Sequence, residues 1–106
     1  MRHLAAILIA AALATSTQAK VLVRRGAADP HVPPDTVLAF EKEMTDAGAD
    51  WQLIAYGGAV HAFTNPAAGN DPARGAAYNE QAARRSWEHM KLFFDEILAR
   101  EPRTGK

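Results

Sequence analysis

The chain has 106 residues, with twelve basic side chains, twelve acidic side chains and no cysteine. This length allows one domain at most, and the balanced charge gives no reason to expect nucleic acid or an anionic membrane as a partner. The absence of cysteine excludes disulfides and thiolate zinc sites, so packing must supply all of the stability.

Residues 1–19 have the composition of a secretory signal peptide. A positively charged start precedes an unbroken apolar run from Leu4 to Ala14, and Thr17 and Ala19 suit the −3 and −1 positions of a cleavage site. The run is about half of the roughly 20 residues that a membrane-spanning helix needs, so we expect no stable membrane anchor. An amphipathic helix is the alternative, but the run has no polar face. We therefore expect an exported protein, periplasmic or secreted.

A strand and a helix follow this leader. Lys20 to Val23 predicts the first strand, and Pro34 with Asp35 suits a helix start, because proline lacks an N–H that the first turn leaves unpaired. Gly48 lies just past the end of this helix, whose apolar face recurs at helical spacing. The residues on that face are Val37, Phe40, Met44 and Ala47.

The segment from Asp50 to Tyr56 predicts the second strand, with apolar residues on both faces. A strand that is covered on both sides is typical of a parallel sheet. A strand–helix–strand crossover brings the ends of its two strands to one edge of the sheet, where α/β proteins bind their ligands. We therefore expect the loops after the two strands to lie side by side.

The rest of the chain predicts a loop and a closing helix. Residues 64–77 are rich in Gly, Ala, Pro and Asn and predict a surface loop. The helix should run from about Asn79 to Ala99, and the tail from Arg100 to Lys106 should fray. We expect one apolar stripe of this helix to be buried and its charged residues to face solvent. The stripe comprises Ala83, Trp87, Met90, Phe94 and Ile97, and the charged residues are Arg84, Glu88, Lys91 and Glu96.

Two side chains suited to hydrolytic chemistry follow the two strands. Asp29 lies in the loop after the first strand, and His61 lies in a glycine-flanked loop after the second. Histidine is a common general base because imidazole changes its charge near neutral pH. A carboxylate can fix the tautomer of such a histidine and stabilise the imidazolium that forms. We expect Asp29 and His61 to converge at the same edge of the sheet.

Two motifs carry a family resemblance. They are Gly26-x-x-Asp29-x-x-Val32-Pro33-Pro34 and Tyr56-Gly57-Gly58-Ala59-Val60-His61-Ala62-Phe63. With the helix and strand between them, they resemble the C-terminal half of the dienelactone hydrolase family, which are α/β-hydrolases acting on esters and lactones. The likeness runs from about Ala19 to Leu98. The chain departs from the family pattern at Arg24 and Arg25, where the family usually has an apolar residue and a histidine.

The resemblance implies a partial α/β-hydrolase fold at residues 20–99, in the order strand–helix–strand–loop–helix, with parallel strands and the N-terminal half missing. It also implies that Asp29 is the acid and His61 the base of a catalytic triad. A small-molecule ester or lactone would be the substrate.

The third member of the triad, the nucleophile, is not evident. In α/β-hydrolases the order along the chain is nucleophile, acid, histidine, so the nucleophile should precede Asp29. The serine in that region, Ser16, has no flanking glycines and cannot form a G-x-S-x-G elbow. Ser86 falls in the predicted closing helix, and cysteine is absent. We therefore expect the nucleophile to be absent and the chain to be inactive by itself.

The positions of the other histidines give weaker indications of function. We expect His31 to be an exposed loop residue, with lining of the cleft as the alternative, and His89 to lie on the surface. No pair of histidines has zincin spacing, so we expect no metal, and we expect no cofactor. Two functions stay open. One is a hydrolase fragment, and the other is a non-catalytic remnant whose open sheet edge pairs with another chain or with a second copy.

Overall fold

The structure is a computed structural model that describes residues 18–99. Two short 3₁₀ helices, Pro66–Ala68 and Pro72–Arg74, precede the last helix. The main elements are β1 (Lys20–Gly26), α1 (Pro34–Asp46), β2 (Asp50–Tyr56) and α2 (Glu80–Ile97). The predicted leader, except its last two residues, and the predicted tail lie outside the described residues. Between residues 18 and 99, no helix combines the length and apolar character that crossing a membrane requires.

The two strands pair in parallel, from Lys20 opposite Asp50 to Gly26 opposite Tyr56. Neighbouring side chains of a strand point to opposite faces of the sheet. The Trp51 ring contacts Phe40 of α1, whereas Ile54 packs against a cluster that includes Ala82 of α2. Because residues 51 and 54 of β2 face opposite sides, the two helices cover opposite faces of the sheet. This arrangement confirms the predicted partial α/β architecture.

The first helix has the predicted bounds. It begins at Pro34, and Asp35 lies in its first turn, where a negative charge is favourable. It ends at Asp46, and Gly48 follows with a φ of 72°, a left-handed conformation that glycine adopts without strain. The connection between this helix and β2 is short, from residue 47 to residue 49.

The last helix packs through a face that only partly overlaps the predicted apolar stripe. It is capped by Asn79, whose side chain accepts a hydrogen bond from the backbone N–H of Ala82 at 3.0 Å. Trp87 is 56% exposed and Phe94 is 44% exposed, whereas the small residues Ala82 and Ser86 are buried. Ala83, Met90 and Ile97 of the predicted stripe are half-buried, so the prediction is wrong at its two aromatic residues. The buried face is rotated around the helix axis towards Ala82 and Ser86. Small side chains let the helix backbone approach the sheet closely.

The core is small and lies beneath the loop that carries His61. Its buried members are Tyr56 at the end of β2, Ala59 and Phe63 in the following loop, and Ala82 in α2. The apolar residues of β1 are only partly buried, because this strand pairs with β2 on one side and has no second neighbour among the described residues. The firmest packing in the described part is thus at the carboxyl ends of the strands.

Candidate active site

Asp29 and His61 meet at the carboxyl ends of the two parallel strands. His61 Nδ1 lies 3.1 Å from Asp29 Oδ2. The side chain of Asp29 is 8% exposed, whereas that of His61 is 54% exposed. A carboxylate only accepts hydrogen bonds, so Nδ1 carries the proton and Nε2 is left with its lone pair. The convergence expected from the strand–helix–strand order is therefore present.

The loop after β1 orients the Asp29 carboxylate. Its Oδ1 accepts a hydrogen bond of 2.8 Å from the backbone N–H of His31, two residues later, which is the geometry of an Asx turn. The backbone N–H of Asp29 in turn donates to the carbonyl of Gly26 at 3.2 Å. The first oxygen is thus held by the loop itself, and the second is left for the imidazole.

The environment of Asp29 favours its charged form. Burial by itself raises the pKa of this carboxyl, because it disfavours the charge. The hydrogen bonds from the His31 backbone and the His61 ring act in the opposite direction, and so does the charge of the two imidazoles. Together these contacts outweigh burial, and the pKa of Asp29 lies below its usual value.

The backbone of His61 is held on both sides by the segment before α2. The N–H of His61 donates to the carbonyl of Gly75, and the carbonyl of His61 accepts from the N–H of Ala77, both at 3.1 Å. These two bonds form an isolated parallel bridge between His61 and Ala76. Residues 64–77 are mostly exposed, as expected of a surface loop, but they also contain two short 3₁₀ helices, and the chain then returns to fix the histidine.

The next residue has an unusual backbone conformation. Ala62 has a φ of 61°, which a residue with a Cβ adopts only under strain. The strain lies beside His61, where hydrogen bonds to Gly75 and Ala77 fix the backbone. Phe63 follows and is buried in the core, so the turn at Ala62 separates an exposed imidazole from a buried ring.

A close approach of two backbones brings the loops of Asp29 and His61 together. A Cβ on Gly26 would lie 2.5 Å from the carbonyl oxygen of Ala59, so only glycine fits at the end of β1. The same carbonyl accepts a hydrogen bond of 2.9 Å from the N–H of Ala28. The glycine in the first motif is thereby explained by contact with the second motif.

A cavity of about 500 Å³ adjoins the two side chains. This volume falls within the usual range for small-molecule sites, roughly 300–1,000 Å³. Its wall is mostly apolar, with two arginines and the acid–histidine pair as its charged or titratable groups. The apolar side chains come from β1, α1, β2 and the loop after β2, and include Val23, Val37, Phe40, Leu53 and Phe63.

The two arginines at the end of β1 hydrogen-bond to carbonyls on opposite faces of the sheet. Arg24 Nη1 donates to both the carbonyl and the hydroxyl of Ser86 at 2.8 Å, and Arg25 Nη2 donates to the carbonyl of Val32 at 2.8 Å. These bonds let the strand continue to Gly26, three residues beyond the predicted end at Val23. Arg25 Nε is buried and has no hydrogen-bond partner among residues 18–99.

Ser86 has a structural role in this arrangement. It lies in the middle of α2, is 1% exposed, and its hydroxyl accepts the bond from Arg24. Among residues 18–99, no hydrogen bond joins Ser86 to His61. The small residues at 82 and 86 were the sequence signal for this face, and the larger apolar side chains of Trp87 and Phe94 at helical spacing concealed it.

His89 is half-buried, and its prediction as a surface residue is therefore wrong. Its Nδ1 lies 2.7 Å from the hydroxyl of Tyr56, and the two rings stack at 5.8 Å. Burial raises the pKa of Tyr56, while Ser86 and the Arg24 charge act against that rise. This pair links the end of β2 to α2 on the side of the sheet away from α1.

His31 is exposed, as expected, but its ring also contacts the site. The ring centroids of His31 and His61 are 4.7 Å apart, with an angle of 67° between the planes. The part of the chain that the structure describes contains no group of three or more side chains able to hold a metal ion.

Comparisons with known proteins give a family match, a relative and similar solved structures. The sequence profile of the dienelactone hydrolase family matches residues 8–98. A Caenorhabditis elegans relative, the uncharacterized protein K02A2.1, is 37% identical over 79 residues, which are 74% of this chain and 50% of the relative.

Two solved structures are similar in both fold and sequence. The first is the dienelactone hydrolase-like promiscuous phosphotriesterase P91 from metagenomic libraries, with a TM-score of 0.69 and 42% identity over 76% of this chain and 34% of that chain. The second, m3DLH, has a TM-score of 0.68 and 41% identity over 74% of this chain and 32% of that chain. The chain thus spans about a third of the length of these structures and half that of the worm relative. With its motifs, its parallel strands and a family match over most of its length, the chain belongs to the dienelactone hydrolase family.

Proposed function

We propose that this chain supplies the acid and the base of an ester- or lactone-hydrolysing site. The observation that carries the proposal is the 3.1 Å contact between His61 Nδ1 and Asp29 Oδ2 at the carboxyl ends of two parallel strands, beside a largely apolar cavity. Asp29 is the orienting acid and His61 is the general base. Family membership supports the substrate class.

In this proposal His61 Nε2 takes the proton of a hydroxyl or thiol nucleophile as that nucleophile attacks the substrate carbonyl. Asp29 stabilises the imidazolium that forms. The imidazolium returns the proton to the leaving oxygen when the ester C–O bond breaks. Water then hydrolyses the acyl intermediate, with His61 again acting as base. The nucleophile comes from outside residues 18–99, because the serine within this range, Ser86, is bound to Arg24 in the middle of a helix.

The test uses the full chain and a chimaera. In the chimaera, residues 20–99 replace the matching third of P91. Because P91 is described as a phosphotriesterase, a phosphotriester is the second assay substrate. We expect the chain alone to hydrolyse p-nitrophenyl acetate no faster than buffer. We expect the chimaera to hydrolyse both the ester and a phosphotriester.

In the chimaera, His61→Ala should lower turnover by about 10⁴- to 10⁶-fold, the effect typical of losing one triad member. His89→Gln is the matched control, because it changes a histidine that contacts Tyr56 and not Asp29. An active His61→Ala chimaera would refute the proposed role of His61. A folded chimaera without any turnover would favour the alternative, a non-catalytic piece that pairs through the open edge of β1.

Export is a separate proposal that rests on the composition of residues 1–19. The family match begins at residue 8, inside this segment, which favours its retention as part of the domain. Mass spectrometry of the protein expressed in a secretion-competent host distinguishes cleavage of residues 1–19 from their retention. A mature N-terminus at Lys20 in the exported fraction supports cleavage, and an uncleaved chain confined to the cytoplasm refutes export.

A further inference from the structure

One residue outside the acid–base pair touches both of its members. The backbone N–H of His31 donates to Asp29 Oδ1 at 2.8 Å. The ring of His31 meets the ring of His61 at a centroid distance of 4.7 Å in a T-shaped arrangement. Residue 31 therefore contacts the carboxylate through its main chain and the imidazole through its side chain.

These two contacts depend on the residue type in different ways. Any residue except proline supplies the backbone N–H that holds Asp29, so this bond does not require histidine. The ring contact does require an aromatic side chain. T-shaped pairs are favoured at centroid distances of about 4.5–7 Å, and the observed distance lies in that range.

The orientation of the His61 imidazole is only weakly restrained by its other contacts. Its side chain is 54% exposed, and Asp29 is its hydrogen-bond partner among the described residues. An exposed ring held at one nitrogen can flip and present the other nitrogen to the carboxylate. That flip would leave Nδ1 with the lone pair and Nε2 with the proton, the wrong form for a base that acts through Nε2.

We propose that His31 is a positioning residue whose ring packs against His61 and keeps the imidazole in the Nδ1–H tautomer. The proposal rests on the proposed role of His61 as a base. Its readout is a tautomer ratio and requires no turnover, so it can fail while the hydrolase proposal stands.

The experiment is nitrogen-15 NMR of the imidazole rings in the full chain at about pH 9, where an unperturbed histidine is neutral. We expect the Nδ1–H form of His61 to dominate in the native protein. His31→Ala should raise the ratio of the Nε2–H form to the Nδ1–H form by roughly two- to tenfold, the range expected for one aromatic contact. His31→Gln, which is polar but has no ring, should match His31→Ala.

His31→Phe is the variant that separates packing from other effects. It restores an aromatic ring without ring nitrogens, so the tautomer ratio should return to within about twofold of the native value. Asp29→Ala sets the ratio of an unrestrained ring, and amide spectra establish that each variant keeps the fold. A ratio unchanged in His31→Ala and His31→Gln overturns the proposal, and so does a His31→Phe ratio that matches His31→Ala.

Discussion

Gly26 lies directly against the carbonyl of Ala59, so the end of β1 and the loop that carries His61 are in backbone contact. A Cβ on Gly26 would be 2.5 Å from Ala59 O and 2.9 Å from Val60 O. Both oxygens belong to the main chain and cannot move independently of the loop. This contact sets how closely Asp29 and His61 approach.

Gly26→Ala should therefore force the two loops apart. Overpacking of this kind typically destabilises by about 1–3 kcal/mol, and we expect a loss in that range by urea unfolding. The Asp29–His61 hydrogen bond should weaken in the same variant. Gly57→Ala is the matched control, because nothing lies within 4 Å of its added Cβ, and it should be neutral or slightly stabilising. Equal losses of unfolding free energy in the two variants would contradict the close contact between Gly26 and Ala59.

Ala62→Gly should stabilise the protein. The φ of 61° at Ala62 is strained for alanine and free for glycine. Part of the gain is offset by the greater freedom of glycine in the unfolded chain, so we expect roughly 0.5–1 kcal/mol in unfolding free energy. Ala67→Gly, in the exposed 3₁₀ helix Pro66–Ala68, should have the opposite sign. Destabilisation by Ala62→Gly similar to that of Ala67→Gly would show that the turn is not strained.

Acid should weaken the fold through Asp29. Its pKa is below the usual value in the folded state, so the native protein binds fewer protons than the unfolded chain. The resulting stability is complete above the ordinary aspartate pKa of about 3.9 and is lost as the pH falls through the lower folded pKa. Urea unfolding from about pH 6 down to about pH 3, a range that spans the ordinary aspartate pKa, measures this loss. It should be smaller for Asp29→Asn than for the native chain.

Asp95→Asn provides the control for that comparison. Asp95 is exposed on α2, so Asp95→Asn should lose as much unfolding free energy in acid as the native chain does. If Asp29→Asn loses as much stability in acid as the native chain does, the contacts from His31 and His61 do not favour the charged carboxylate.

Ser86→Ala should destabilise by about 1–2 kcal/mol, because the buried hydroxyl accepts a hydrogen bond from the Arg24 guanidinium and bonds to charged groups contribute more than neutral ones. The Ser86 carbonyl still accepts from Arg24, which limits the loss. Thermal or urea unfolding measures the change, and Glu88→Ala on the exposed face serves as the control. A neutral Ser86→Ala would mean that the hydroxyl bond contributes nothing.

Tyr56 and His89 should be energetically coupled. Their 2.7 Å hydrogen bond and their ring stacking join the end of β2 to α2. A double-mutant cycle with Tyr56→Phe and His89→Phe should give a coupling free energy of about 1 kcal/mol. Strictly additive effects of the two substitutions would show that the contact is not formed in solution.

The sequence alone was sufficient for the elements whose signals are local. Pro34 and Gly48 mark the ends of α1, and seven residues with apolar side chains on both faces mark β2. The order of strand, helix and strand also predicted that Asp29 and His61 converge. A right-handed crossover makes the two strands parallel, so their carboxyl ends lie at the same edge of the sheet. These inferences need only chain geometry and nearest neighbours.

Only the tertiary structure decided which face of α2 is buried, what holds His61 and how the arginines are accommodated. Periodicity gives the spacing of a helix but not its rotation, and close packing through Ala82 and Ser86 outweighed the larger hydrophobic residues. The His61 N–H donates to the Gly75 carbonyl and the Ala77 N–H donates to the His61 carbonyl. These bonds join residues on either side of an irregular segment, and no local sequence pattern predicts them. Contacts between residues that are far apart in the sequence depend on how the backbone folds in three dimensions. Local sequence patterns do not contain that information.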